Sequence, residues 1–307
     1  MTLTDQFLET FKSIDFDSIT EHPNILIAAN FWEEDRYQAA RVCYKFMRMI
    51  DDLIDDHKAD NQKIDDSEKQ KFAEDVERWL VMLLDKTIDS PFQKELQQTV
   101  KRFRIPHWPL EAFAKSMLYD IHHDGFESLE SFIDYSQGAS VAPASIFVHL
   151  AGLQKINGEF AEPPFNVRKI ATPCAIFSYM VHIIRDFCKD QKNHLNYFAG
   201  DVMLKNGLTR KDLADIACGS GVTAGFRNMI RDYYILADEY RIETVKAMGE
   251  IFPLIEPRYR LSFEIIFELY LMVFERIDIE NGTFTKEELN PTPDEIKERV
   301  LKVILRQ

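Results

Sequence analysis

Two stretches of the chain concentrate carboxylates at helical spacing. "DDLIDD" sets Asp51, Asp52, Asp55 and Asp56 around Leu53 and Ile54, and "YMVHIIRDFCKD" sets Asp186 and Asp190 behind His182 and Arg185. Successive side chains on an α-helix turn by roughly 100°, so Asp51 with Asp55, and Asp186 with Asp190, stack on one face at i and i+4. Like charges at that spacing repel and cost helix stability unless a cation neutralises them. Paired carboxylates are hard oxygen donors suited to Mg²⁺, which completes its octahedron with water and substrate phosphate. An acid run is equally an ordinary solvated helix face, and DDLIDD alone does not separate the two.

The flanking residues add information. With Asp51 as origin, Arg41, Tyr44, Arg48, Asp52, Asp55 and Asp56 fall within an arc of roughly 140°, opposite Phe46, Met49, Ile50, Leu53 and Ile54. On the second stretch Tyr179, His182, Arg185, Asp186, Lys189 and Asp190 share one stripe, and Met180, Val181, Ile183, Ile184, Phe187 and Cys188 fill the rest. Acids beside bases form intrahelical pairs, but a helix otherwise this apolar belongs inside the protein, with its polar stripe on a cavity. Two DxxxD helices carrying Arg and Lys suit a diphosphate held by Mg²⁺ and basic side chains. The rival carboxylate design, a di-iron bundle, needs Glu-x-x-His on two helices, and no ExxH occurs in this chain.

The elements that must position these residues read as helical. Apolar residues recur at helical spacing in "YQAARVCYKFMRMIDDLIDD", "AEDVERWLVMLLDK", "PLEAFAKSMLYDIHH" and "RLSFEIIFELYLMVFERI", while strand-like alternation is nearly absent. Eleven glycines and 12 prolines in 307 residues are too few for an all-β protein. "NPTPDEIKERVLKVIL" marks a helix start, with Thr292 as N-cap and Pro293 at N1, and Asp124 and Gly125 open a turn after "DIHH". No composition shift or repeat divides the chain, which predicts one all-α domain over residues 1–307.

Composition excludes several functions. A net charge of −14 argues against nucleic acid as a partner, since phosphate backbones need a basic surface. The four cysteines (Cys43, Cys174, Cys188, Cys218) form no CxxC, which gives no zinc signature and suits a reducing compartment. "FEIIFELYLMVFERI" is interrupted by Glu264, Glu268 and Glu275, so no transmembrane segment is expected. The first residues carry acids and lack an apolar h-region, so a cytoplasmic protein without a signal peptide is expected. His57, His149 and His194 lack a partner pattern and read as ordinary, and Trp32, Trp79 and Trp108 as packing residues.

"RVCYKFMRMIDDLIDD" and "HIIRDFCKD" resemble the two aspartate-rich motifs of the squalene/phytoene synthase family. The ordered set "FWEEDRYQAARVCYKFMR", "SMLYDIHHDGFESLESFIDYSQGASVAPA" and "LNYFAGDVMLKNGLTRKDL" extends the similarity over residues 25–280. The resemblance implies the class I isoprenoid-synthase fold, a helical bundle around a central cavity, and head-to-head joining of two C15 or C20 prenyl diphosphates through a cyclopropyl diphosphate intermediate. On the same scaffold the alternatives are a prenyl diphosphatase or a terpene cyclase. It further implies Mg²⁺ bound by Asp51, Asp55, Asp186 and Asp190, diphosphate contacts from Arg48, Arg185 and Lys189, and Tyr44 and Tyr135 beside the reacting carbons. Ala139 and Ser140, with Ala142 and Ala144, would keep a helix surface slim for the prenyl chain, and Asp120 would lie near substrate. Water-insoluble products would bring peripheral membrane contact. NADPH is not indicated: there is no GxGxxG, although the family does not bind the nucleotide that way. The chain departs from the family at Tyr179, usually Gln, and at His182, usually a metal-binding Asn. Here His182 is the candidate replacement ligand, although imidazole suits Mg²⁺ less well than oxygen.

Overall fold

The structure, a computed structural model, describes residues 2–17, 24–60, 65–84 and 90–307, with the backbone alone for 53–60 and 83–84. Helices follow in the order α1 (Leu3–Ser13), α2 (Asn24–Ala29), α3 (Glu34–Asp60), α4 (Asp66–Leu84), α5 (Pro91–Arg102), α6 (Trp108–His122) and α7 (Leu129–Ser136). A π-helical turn (Gln137–Val141) leads into α8 (Ala142–Gly152), then strands β1 (Gln154–Ile156) and β2 (Glu159–Ala161), α9 (Val167–Arg185) and α10 (Phe187–Lys192). After α11 (Gly200–Lys205) and α12 (Arg210–Ala217) come α13 (Ala224–Ile251), α14 (Pro257–Phe274), α15 (Lys286–Leu289) and α16 (Pro293–Ile304). The expected all-α class holds.

Local chemistry sets several boundaries as the sequence predicts. Thr292 caps α16 by accepting from Glu295 N–H while the Glu295 carboxylate accepts from Thr292 N–H, with Pro293 following the cap. Helix α6 stops at His122, and Gly125 takes φ +132°, a backbone conformation that disfavours side chains. The β1–β2 hairpin was not expected. Its signal is the Asn157-Gly158 pair, both at positive φ as a tight hairpin turn requires.

Helix α9 is the central rod. It packs against α13, α8, α14 and α7, and from Ala175 to Ile184 every residue but Tyr179 and His182 is buried. Lys169 pairs with Glu250 at one end, and Phe187 meets Phe226 just beyond the other, so α9 and α13 run antiparallel. Helix α3 packs on α6 and α8 and closes the opposite side. Where α6 meets the π turn, a Cβ on Gly138 would lie 1.9 Å from Ser116 Oγ and 2.3 Å from Ala112 O. Only glycine permits that approach, which fixes the distance between two cavity walls. Phe46, Phe132 and Phe177 fill the bundle at or near zero exposure.

The second acidic motif differs from the straight helix that its spacing predicts. Asp186 leaves α-helical geometry (φ −93°, ψ 4°), ending α9, and the chain restarts as α10. The backbone bonds continue across the bend, from Asp186 N–H to His182 O and from Asp190 N–H to Asp186 O, both 2.9 Å. Asp186 and Asp190 therefore keep their one-turn separation but on two helix axes.

Candidate active site

Helices α3, α6, α8, α9, α13 and α14 enclose a cavity of about 380 Å³, within the roughly 300–1,000 Å³ of small-molecule pockets. Along α9 it is lined from Ile170 to Asp186, about 24 Å at 1.5 Å rise per residue. The deep end, where α9 begins beside the end of α13, is walled by Ile170, Ala171, Met248 and Ile251, and Phe113, Phe147, Phe263 and Ile266 add further apolar lining. Charge gathers at the other end: Arg48 and Asp51 from α3 face His182, Asp186, Lys189 and Asp190 from α9 and α10. The apolar stretch of α9 thus turns its polar stripe, Arg185 apart, to a cavity, with Asp51 of the first motif and Asp186 and Asp190 of the second lining one end.

On the α3 wall Arg48 donates to Asp51 Oδ2 at 2.7 Å and also pairs with Asp52. Tyr44 stands one turn below, and its phenol is pushed up chiefly by burial. Asp52 does not line the cavity, and Arg41 is exposed and donates to Gln38. The Asp55 and Asp56 side chains lie outside the described residues.

On the α9 wall one carboxylate gathers three donors. Arg185 Nε meets Asp186 Oδ1 at 2.7 Å, Arg185 Nη2 meets Oδ2 at 2.9 Å, and His182 Nε2 meets the same Oδ2 at 2.6 Å. Burial opposes ionisation of Asp186, but these bonds and the Arg185 charge overcome it and hold the carboxyl far below its usual range. His182 is pushed down, first by burial and then by the Arg185 charge, and Nε2 is the ring atom that meets Asp186. Arg185, expected on the diphosphate, does not line the cavity: it lies behind Asp186, with its fork on that carboxylate.

Near the mouth Tyr135 is 7% exposed and donates to Asp120 Oδ2 at 2.5 Å. Its phenol is raised well above the ordinary value, mainly by burial and then by Asp120. Tyr119, Phe126 and Tyr179 pack their rings on it, and Phe132 and Tyr197 pack on Tyr179 in turn. Ala139, Ser140 and Ala144 line the cavity, whereas Ala142 is fully buried away from it. Ser140 Oγ donates to Ala175 O at 2.8 Å, tying the π turn to α9; π turns recur at functional sites. Cavity residues that the motifs do not reveal include Tyr270, Phe147, Phe263 and Met248, which come from helices whose patterns read as plain core.

Among the described residues no three His, Cys, Asp or Glu side chains gather closely enough to hold a metal by themselves. The donor chemistry still fits Mg²⁺, which rarely uses an all-protein cage and takes one or two carboxylates plus substrate phosphate oxygens. Carboxylates stand on both sides of the mouth to provide them.

Comparison with known proteins agrees with this architecture. A family model described as squalene/phytoene synthase matches residues 21–293. No curated protein matches the chain significantly. Among solved structures, a dehydrosqualene synthase in complex with ligand aligns with a TM-score of 0.70 at 16% identity, covering 98% of this chain and 97% of that one. Squalene synthase HpnC from Alicyclobacillus acidocaldarius aligns at 0.62 and 16% identity, covering 86% and 92%. YisP from Bacillus subtilis aligns at 0.61 and 13%, covering 98% of each chain. At such identities the structural likeness is one of fold, the isoprenoid-synthase bundle; the family match carries the rest. The chain belongs to the squalene/phytoene synthase family and is a prenyltransferase.

Proposed function

We propose that this enzyme joins two prenyl diphosphates, C15 or C20, head to head with the help of Mg²⁺. One observation carries it: Arg48 and Asp51 on one wall and Asp186, Lys189 and Asp190 on the other meet at one end of a cavity that is otherwise apolar. The prenyl chain of a diphosphate bound there would bury its apolar surface by running inward. Asp51, Asp186 and Asp190 would hold Mg²⁺, with Asp55 as the fourth acid of the sequence motif; when bound, the metal supplies positive charge to the departing diphosphate. Arg48 and Lys189 add fixed positive charge at the same place. Tyr44, Phe113, Phe147, Phe263 and Tyr270 line the cavity and would keep water from the allylic cation. Residues 1–307 act as one unit, a proposal supported by α1 packing on α16 and α2 on α14.

The test is incubation of purified protein with C10, C15 and C20 prenyl diphosphates and Mg²⁺, with and without NADPH, and identification of products. A C30 or C40 hydrocarbon, or its cyclopropyl diphosphate precursor, is expected. Asp51→Asn and Asp186→Asn should each lower kcat by roughly a hundredfold or more, the scale of removing one electrostatic contact to the transition state. A second reading, release of a prenyl alcohol or a cyclic product from a single substrate, draws on the cavity's size. A cavity of about 150 Å³ accepts benzene, so fifteen carbons ask in proportion for roughly 375 Å³, and 380 Å³ holds one such chain. Alcohol or cyclic product alone would decide for that reading.

A further inference from the structure

The donors around Asp186 point to a role for His182 other than the one its position in the motif implies. A carboxylate offers about four lone-pair sites. Arg185 takes one on each oxygen, and His182 Nε2 takes another on Oδ2 at 2.6 Å. What remains is one site, on Oδ1. Nε2 is therefore already committed to the acid one turn ahead, so a cation could reach His182 only through Nδ1. The bend at Asp186 sustains the arrangement: α9 ends there, and Asp186 N–H still bonds His182 O at 2.9 Å, so backbone and side chain of the two residues are joined twice. Arg185 lies behind the carboxylate, outside the cavity lining, while Asp186 and His182 line it. The clamp is thus built from the protein side, and its open lone pair is on the oxygen that His182 does not touch.

We propose that His182 is a positioning residue: with Arg185 it clamps Asp186 so that this carboxylate would offer a divalent cation its remaining Oδ1 lone pair, with His182 orienting the acid and not serving as a ligand. The inference rests on the proposed Mg²⁺–diphosphate site. Donors that hold a ligating carboxylate or histidine from outside typically change metal affinity by 10–100-fold when removed. An imidazole that fixes Asp186 serves a different purpose from an oxygen ligand at the same position, and it would leave a cation more dependent on Asp51, Asp190 and the diphosphate oxygens.

Mn²⁺ in place of Mg²⁺, bound with inorganic pyrophosphate to the full-length protein, tests this directly. Pulsed electron paramagnetic resonance of the wild-type complex should show no nitrogen coupling of the strength of a directly bound imidazole. Calorimetric titration of Mn²⁺ in the presence of pyrophosphate should show about a tenfold loss of affinity in His182→Ala. His182→Gln, whose amide N–H can replace Nε2–H toward Asp186, should return to within about threefold of wild type. A directly coordinated nitrogen in the wild-type spectrum, absent in His182→Gln, overturns the positioning role while leaving the metal–diphosphate site standing. Failure of the wild type to bind Mn²⁺ with pyrophosphate overturns both. Should His182→Ala not fold, the wild-type spectrum and the glutamine variant decide between the two roles.

Discussion

Arg36 is 1% exposed, and among the described residues its guanidinium bonds are to main-chain carbonyls. Its Nη1 donates to Leu150 O and its Nη2 to Leu153 O, both at 2.9 Å, and the guanidinium lies 4.5 Å from the Tyr259 ring centroid and 5.3 Å from that of Phe160. These carbonyls end α8, where helix C-termini leave acceptors unpaired and carry partial negative charge. Arg36→Met keeps most of the side-chain length and removes the fork. Two buried carbonyls left without donors cost about 1–3 kcal/mol each, and loss of the two ring contacts about 1 kcal/mol. Relief from burying a charge, several kcal/mol by itself, offsets part of this, so a net loss of about 3 kcal/mol is expected. Arg36→Lys, a point charge without a fork, should recover about half of it. Urea unfolding of the metal-free protein, fitted for midpoint and slope, measures both. Because Phe147 and Val148 on α8 line the cavity, KM for the prenyl substrate should rise with the loss of stability. A change under 1 kcal/mol in Arg36→Met, with Arg36→Lys indistinguishable from it, would refute the assignment of the α8 terminus to this residue.

Gly138→Ala should cost about 2–3 kcal/mol, because the new Cβ would sit 1.9 Å from Ser116 Oγ and force α6 from the π turn; an unchanged melting temperature would contradict that. His149 is buried against Phe103 O and its pKa is pushed down, mainly by burial. A folded-state value below the unfolded 6.5 means its contribution is complete above about pH 6.5 and is lost as pH falls through the folded value. Denaturation of wild type and His149→Gln from pH 7.5 to 5 should therefore converge on acidification, and parallel curves would rule out this residue as the source. Ala171→Leu fills the deep end of the cavity beside Ile170 and Ile251 and should lower kcat/KM for a C20 substrate more than for a C10 one; equal losses in product assays would mean the chain does not reach that depth. Tyr135→Phe removes the bond to Asp120 and should cost about 1 kcal/mol, with a larger fall in kcat than in stability if the phenol faces reacting carbons.

Much of the site was legible because it is written in short-range spacing. Carboxylates four residues apart on amphipathic runs predict two acidic faces, and Asp51, Asp186 and Asp190 do stand at one mouth with Arg48 and Lys189. Thr292, Pro293 and Gly125 act where the sequence places them, since caps and turns depend on a few neighbouring residues. The division between Asp51 at the cavity and Asp52 off it also follows from helix geometry. The Asn157-Gly158 turn is equally short-range, a two-residue hairpin signal between β1 and β2.

What the sequence by itself determined is therefore the class of fold, the acidic faces and the apolar helices that carry them, because periodicity and capping are local properties. Tertiary structure alone decided that α9 breaks at Asp186, that Arg185 turns behind that carboxylate instead of into the cavity, and that His182 bonds it from the front. It alone placed Arg36 on the end of a helix more than a hundred residues away, and Tyr270 beside the mouth. Such outcomes depend on which helices meet and at what distance. That distance is fixed by packing across the bundle, through contacts such as Gly138 against Ala112, and no window of neighbouring residues contains it.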